Sequence, residues 1–146
     1  MKTALLDANV LIALLWPAHE QHHRALAWFA GGRRRRWATC PLTQLACARI
    51  VSNPAFSPDA LTPAEAVVLL ARNLRHPRHV FWPDDLPLHA GVADTVEHLQ
   101  GHRQLVDAYL LALAVEHGGV LATFDSALEA ASAPERKAAV EFIGTR

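Results

Sequence analysis

Only 2 of the 146 residues are cysteine, which is too few for a disulfide framework or a four-ligand zinc site. Cys40 and Cys47 both sit among apolar neighbours and read as small buried hydrophobes in a reducing compartment. No run of roughly 20 apolar residues is available to span a bilayer. At the start of the chain Asp7 and Asn9 break the apolar stretch Ala4-Leu5-Leu6, and no small-residue cleavage site follows. The expectation is a cytoplasmic protein without membrane contact. An excess of one charge is also missing: 14 Lys and Arg balance 14 Asp and Glu. No overall basic field therefore draws in nucleic acid, and any such contact has to come from local patches. Lysine itself is confined to Lys2 and Lys137. Repeats and low-complexity segments are lacking as well.

What is present is apolar. At 51% hydrophobic residues, the chain suits one core and a single domain over residues 1–146. Ala4 to Leu6 is a short buried strand, followed by a helix over Val10 to Trp16 that Pro17 interrupts. His19 to Ala30 has helical spacing and stops at Gly31-Gly32. The basic run Arg33 to Arg36 leads into a second strand, Trp37 to Cys40. A helix over Leu42 to Val51 ends at Ser52-Asn53-Pro54. The next begins at Thr62, with Pro63 first in the helix and Glu65 completing a capping box, and runs to about Arg75. Val80 to Trp82 is a third strand, and Leu88 to Gln100 a weaker helix ended by Gly101. Leu105 to Val115 is strongly helical and closes at Gly118-Gly119, from which Val120 to Thr123 emerges as a fourth strand. Ser126 to Ala131 is a short helix, and Ala139 to Ile143 a fifth strand. Strands alternating with helices predict an α/β domain with a mostly parallel sheet of four to five strands, covered by helices on both faces.

Three carboxylates stand out against this apolar background. Asp7 follows the first strand and Asp125 follows the fourth, so both belong at the carboxyl ends of parallel strands, where open α/β sheets bind ligands. Asp107 is the only charged residue between Leu105 and Val115, and its neighbours one and two turns on, Leu110, Leu111 and Ala114, are apolar. Taken singly, each acid has a structural explanation as a helix cap. Three caps converging on one sheet edge are a less economical account. Carboxylates gathered without matching Lys or Arg repel one another and bind protons or cations. Hard oxygen ligands suit Mg²⁺ or, as a substitute, Mn²⁺, and the chemistry that follows is metal-assisted phosphodiester hydrolysis.

The blocks Leu6-Asp7-Ala8-Asn9-Val10-Leu11-Ile12, Cys40-Pro41-Leu42-Thr43-Gln44, Arg49-Ile50-Val51-Ser52-Asn53-Pro54, His102 to Leu110 and Leu121 to Asp125 resemble, in order and over nearly the whole chain, those of the PIN-domain ribonuclease toxins called VapC. That resemblance implies a PIN-like fold and a magnesium-dependent endoribonuclease acting on RNA, toxin of a type II toxin-antitoxin pair. It also implies a cognate VapB antitoxin and a homodimer. Asp7, Asp107 and Asp125 match three acidic positions of the family and are carried over as metal ligands. Asn9, Thr43 and Thr123 match polar positions bordering the site, where they would orient carboxylates or water. Gln44 departs from the pattern, because many members have glutamate there. It can offer a carbonyl oxygen to a metal or its water, but one negative charge fewer predicts one firmly held ion and a second that needs substrate phosphate. Asp84 and Asp85, after the third strand, are either replacement acids or solvated turn residues.

Arg33, Arg34, Arg35 and Arg36 are candidates for gripping RNA phosphates at the rim of the acidic site, with Trp37 beside them for stacking, or else form a solvated charged loop. Arg103 is a candidate phosphate contact, and Arg49 a partner for an acid beneath the site. The histidines His19, His22, His23, His76 and His79 complete no zinc pattern. Two other classes compete with the nuclease. In one, Gln44 has disabled cleavage and the domain only binds RNA or a protein. In the other, an acid such as Asp7 is phosphorylated as in receiver domains, a reading that suffers from having no lysine at a late strand end.

Overall fold

In the computed structural model, which describes residues 1–144, five short strands form one parallel sheet: β1 (Ala4–Leu6), β2 (Trp37–Thr39), β3 (His79–Phe81), β4 (Val120–Thr123) and β5 (Val140–Phe142). The two central strands are apolar at nearly every position because both faces of the sheet are covered. Leu5 points into one core with Ala38, Leu110, Leu111, Leu113 and Leu121. Ala4 and Leu6 point into the other with Val10, Ile12, Trp37, Cys47, Val51 and Ala122. Alternation along three residues thus serves two hydrophobic layers.

The helices between the strands are α1 (Ala8–Leu15), α2 (His22–Gly31), α3 (Pro41–Val51), α4 (Pro63–Asn73), α5 (Leu88–Val92), α6 (Gln104–Glu116), α7 (Ala127–Ala131) and α8 (Pro134–Lys137). Thr62 and Glu65 close the expected capping box on α4, the Thr62 side chain accepting from the Glu65 amide and the Glu65 carboxylate from the Thr62 amide. At the end of α6, Gly118 adopts φ 67°, and the Gly119 and Gly118 amides donate to the carbonyls of Ala114 and Val115. This left-handed termination turns the chain straight into β4.

One expected helix does not form whole. Over Leu88 to Gln100 the structure has only α5 and, beyond it, a single 3-10 turn at Val96–His98. The Thr95 hydroxyl donates back to the Val92 carbonyl, competing with helical continuation. The short α8, with Pro134 at its start, was not anticipated.

Strand order decides where chemistry can occur. The order is β3-β2-β1-β4-β5, so the chain builds outward from β1 on one side and then returns to its other side at β4. The gap between the carboxyl ends of β1 and β4 is the topological switch point, the place where open parallel sheets bind ligands.

Candidate active site

Asp7 and Asp125 flank that switch point. β1 and β4 are in register with Leu6 opposite Ala122, which sets Asp7 level with Thr123. The Thr123 hydroxyl donates to Asp7 Oδ2 at 3.0 Å, and Thr123 Oγ1 itself accepts from the Asp125 amide at 3.0 Å. One buried threonine therefore ties the two acidic loops together. Asp7 caps α1 through its backbone carbonyl, which accepts from the amides of Val10 and Leu11, while its side chain makes no cap bond. Its carboxylate is left facing the switch point, only 8% exposed. Burial raises its pKa, against lowering contacts from Thr123 and the Ala8 amide, with the Asp125 charge adding to the rise. Asp125 is exposed, and its Oδ1 accepts from the Ala127 amide two residues on, an Asx turn that uses one oxygen and leaves the other.

The third acid comes from the opposite core layer. α6 brings Asp107, half-buried on its first turn, against the same edge, and burial together with the charges of Asp7 and Asp125 pushes its carboxyl up to about 7. The three groups feel one another, yet among the described residues none has a Lys, Arg or His partner. Nor do three His, Cys, Asp or Glu side chains, among the described residues, approach closely enough to form a ready-made cage. A loose set of hard oxygen donors with unbalanced negative charge suits an ion that keeps several waters, as Mg²⁺ and Mn²⁺ do, better than one that demands a full protein shell.

The remaining candidates divide. Gln44 lies half-buried on the first turn of α3, its Nε2 donating to Thr39 Oγ1 at 3.0 Å. Thr43, expected to orient carboxylates, instead serves its own helix: its hydroxyl accepts from the Cys40 amide and donates to the Cys40 carbonyl, because a helix start needs such partners and this one is buried. Asn9 is exposed on α1 and makes no side-chain hydrogen bond to an acid among the described residues. Arg103 is exposed at the start of α6 and forms no ion pair with Asp107, and Arg49 is exposed and pairs with no acid among the described residues.

The expectation that Arg33 to Arg36 line the rim of the acidic site is corrected. They precede β2 and therefore sit at the amino edge of the sheet, opposite the carboxyl edge that carries the acids. Arg35 is also committed there: its guanidinium meets Glu141 at 2.6 Å, donates to the Lys2 carbonyl and lies over Trp28. Asp84 accepts from the Leu42 amide at the start of α3 through Oδ2, its Oδ1 buried and unpartnered among the described residues, and Asp85 lies 4.0 Å from His117. Thr39 and His79 went unnoticed as site-related residues. The signal for Thr39 was its position as the polar residue ending a strand, the counterpart of Thr123, whereas nothing local marked His79.

The chain's relatives agree with this architecture. The PIN-domain family model matches residues 4–134. Ribonuclease VapC39 of Mycobacterium tuberculosis is 46% identical over 126 residues, covering 86% of this chain and 91% of its own. Ribonuclease VapC44 of the same organism is 40% identical over 131 residues, covering 90% and 92%. The chain belongs to the VapC ribonucleases of the PIN-domain family. Among solved structures, FitAB bound to the IR36 DNA fragment superposes with a TM-score of 0.64 at 21% identity, over 95% of this chain and 94% of that one. VapBC2 of Rickettsia felis, bound to a promoter DNA fragment, gives 0.53 at 11% identity, over 84% and 87%. Those two likenesses are of fold. In this chain the acid cluster lies at the switch point of the sheet, where open parallel sheets bind ligands.

Proposed function

We propose that this VapC-family chain is the toxin of a type II toxin-antitoxin pair, an endoribonuclease that depends on Mg²⁺, with Mn²⁺ as a substitute, for hydrolysis of RNA. The observation that carries the reading is Asp107. Burial and two neighbouring acids hold its carboxyl at about 7 with no cationic partner, an arrangement whose electrostatic cost is relieved by a divalent cation.

Asp7, Asp107 and Asp125 would hold the ion, and Thr123 keeps Asp7 turned toward it through the 3.0 Å hydrogen bond. The ion, when bound, supplies an activated water and charge neutralisation at the scissile phosphate. A carboxylate of the cluster accepts the proton of the attacking water. Gln44 contributes a neutral oxygen where a glutamate would add charge, which favours one firmly bound ion and a second that arrives with substrate phosphate. A VapB-type antitoxin that covers the acidic edge, and pairing of two protomers, complete the proposal. Leu42, Leu45, Leu88 and Val106 are exposed apolar side chains on α3, α5 and α6, surface that a protein partner would cover.

The test is incubation of the purified, antitoxin-free chain with structured and single-stranded RNA in Mg²⁺, Mn²⁺ or EDTA, beside Asp7→Asn. Fragments that need metal and vanish in the variant are expected. Cleavage that persists in EDTA or in Asp7→Asn would overturn the metal centre, and RNA binding without scission in any metal would establish an interaction module in which Gln44 has disabled the chemistry.

A further inference from the structure

A line of hydrogen bonds runs from Gln44 across the carboxyl end of β2 to the edge strand β3. Gln44 Nε2 donates to Thr39 Oγ1 at 3.0 Å, and Thr39 Oγ1 lies 2.7 Å from His79 Nε2. Thr39 is completely buried, so its single proton and its lone pairs have no water to turn to.

His79 is half-buried, its protonation disfavoured first by desolvation and also by His76 beside it, so the ring is neutral near pH 7. A neutral ring carries one proton. Gln44 Nε2 can only donate, so the buried Thr39 hydroxyl has His79 Nε2 as its acceptor, and the ring proton belongs on Nδ1. Thr39 therefore gives its hydroxyl proton to His79. With that proton spent, Thr39 Oγ1 can only accept, so residue 44 has to present a donor. The Gln44 amide supplies one; a glutamate carboxylate could not. The glutamine thus matches a polarity set two residues away from it in the chain of contacts.

We propose that Thr39 and His79 are positioning residues, which hold the amide nitrogen of Gln44 against β2 and so commit its carbonyl oxygen to the metal centre as a neutral donor. That oxygen has no protein partner among the described residues. The inference rests on the metal-dependent reading above, and a fixed amide differs from a freely turning one in offering only one of its two ends. Residue 44 and the pair behind it then act as a unit: exchanging glutamine for glutamate alone reverses every bond in the line.

Two measurements on the whole chain test this. Long-range ¹H–¹⁵N correlation of the imidazole is expected to find neutral His79 protonated on Nδ1. In Gln44→Glu, Thr39 must turn its proton to the carboxylate, so His79 Nε2 has to become a donor and the titration midpoint of the ring rises by about one pH unit or more. Separately, Mn²⁺ affinity followed by electron paramagnetic resonance is expected to fall roughly tenfold in Thr39→Val and to be retained in Thr39→Ser, which keeps the hydroxyl. A His79 ring unaltered by Gln44→Glu, or wild-type Mn²⁺ affinity in Thr39→Val, would overturn the proposal. Failure of the wild-type chain to bind Mn²⁺ at all would instead sink the metal-dependent reading, and with it the role assigned to the carbonyl oxygen, while the His79 measurement still decides the polarity of the line.

Discussion

At the scale of single residues, the site is an electrostatic problem left open by the chain. Asp107 has its carboxyl raised from the ordinary 3.8 to about 7, with desolvation the first cause and the charges of Asp7 and Asp125 behind it. Between those two pH values the folded chain holds a proton that the unfolded chain has released, so without metal the stability falls as pH climbs from about 4 to 7 and stays low above it. Asp107→Asn removes that penalty. Urea unfolding in EDTA is expected to show the variant more stable at pH 8 by about 1 kcal/mol, after allowing for solvent screening of a half-buried group, and equal to wild type at pH 4. On the proposed metal-dependent reading, wild-type Mg²⁺ affinity is expected to run the other way, tightening as pH rises through about 7. A variant no more stable than wild type at pH 8 would mean that the acid cluster is not strained. The acids themselves were legible in the sequence, since Asp107 is a lone charge in an apolar helix and Asp7 and Asp125 end apolar strands. Thr43 was not, because a threonine near an acidic site and one that closes a helix start look alike until partners are known.

At the scale of elements, the close approach of β1 and β4 holds the site. Gly119 immediately precedes β4, and a Cβ there would lie 2.5 Å from the Thr3 carbonyl oxygen and 2.7 Å from the Trp82 ring. The first of these is backbone and cannot swing aside. Gly119→Ala is expected to lower stability by about 1–3 kcal/mol and, by spreading β1 from β4, to reduce cleavage by disturbing the Thr123 bridge at their other ends. Urea midpoints and RNA cleavage measured on the same preparation check both. Full activity with a lowered midpoint would show that the bridge does not depend on the strand spacing. Most elements could be read locally: Thr62, Pro63 and Glu65 announce α4, and Gly118-Gly119 announces the end of α6. The stretch after α5 could not, because a weak periodicity loses to the Thr95 hydroxyl that bonds Val92, a competition decided within a single turn.

At the scale of the molecule, balanced charge conceals a division. The acids occupy the carboxyl edge of the sheet, while Arg33 to Arg36 precede β2 at its amino edge, separated by the length of a three-residue strand, roughly 10 Å. Replacement of Arg33, Arg34 and Arg36 together by alanine is therefore expected to leave kcat on a short RNA within about twofold of wild type, since each twofold step is only about 0.4 kcal/mol of barrier. A fall of a hundredfold or more in a single-turnover assay would return those arginines to the site. Arg35→Ala is a different experiment, because it also removes the contacts to Glu141, the Lys2 carbonyl and Trp28.

The sequence by itself determined the alternation of strands and helices, the two-layered core and the placing of three acids beside apolar segments. Those properties follow from apolar periodicity and from the rarity of a charge inside an apolar segment, both of which act over a few residues. Tertiary structure alone decided the order β3-β2-β1-β4-β5, the Thr123 bridge, the commitment of Gln44 to Thr39 and His79, and the placing of the arginines on the far edge. A short apolar strand presents much the same surface to every candidate neighbour, so its partner is chosen by pairings among segments distant in the chain. The fate of a side chain beyond its end is settled only when that partner has been chosen.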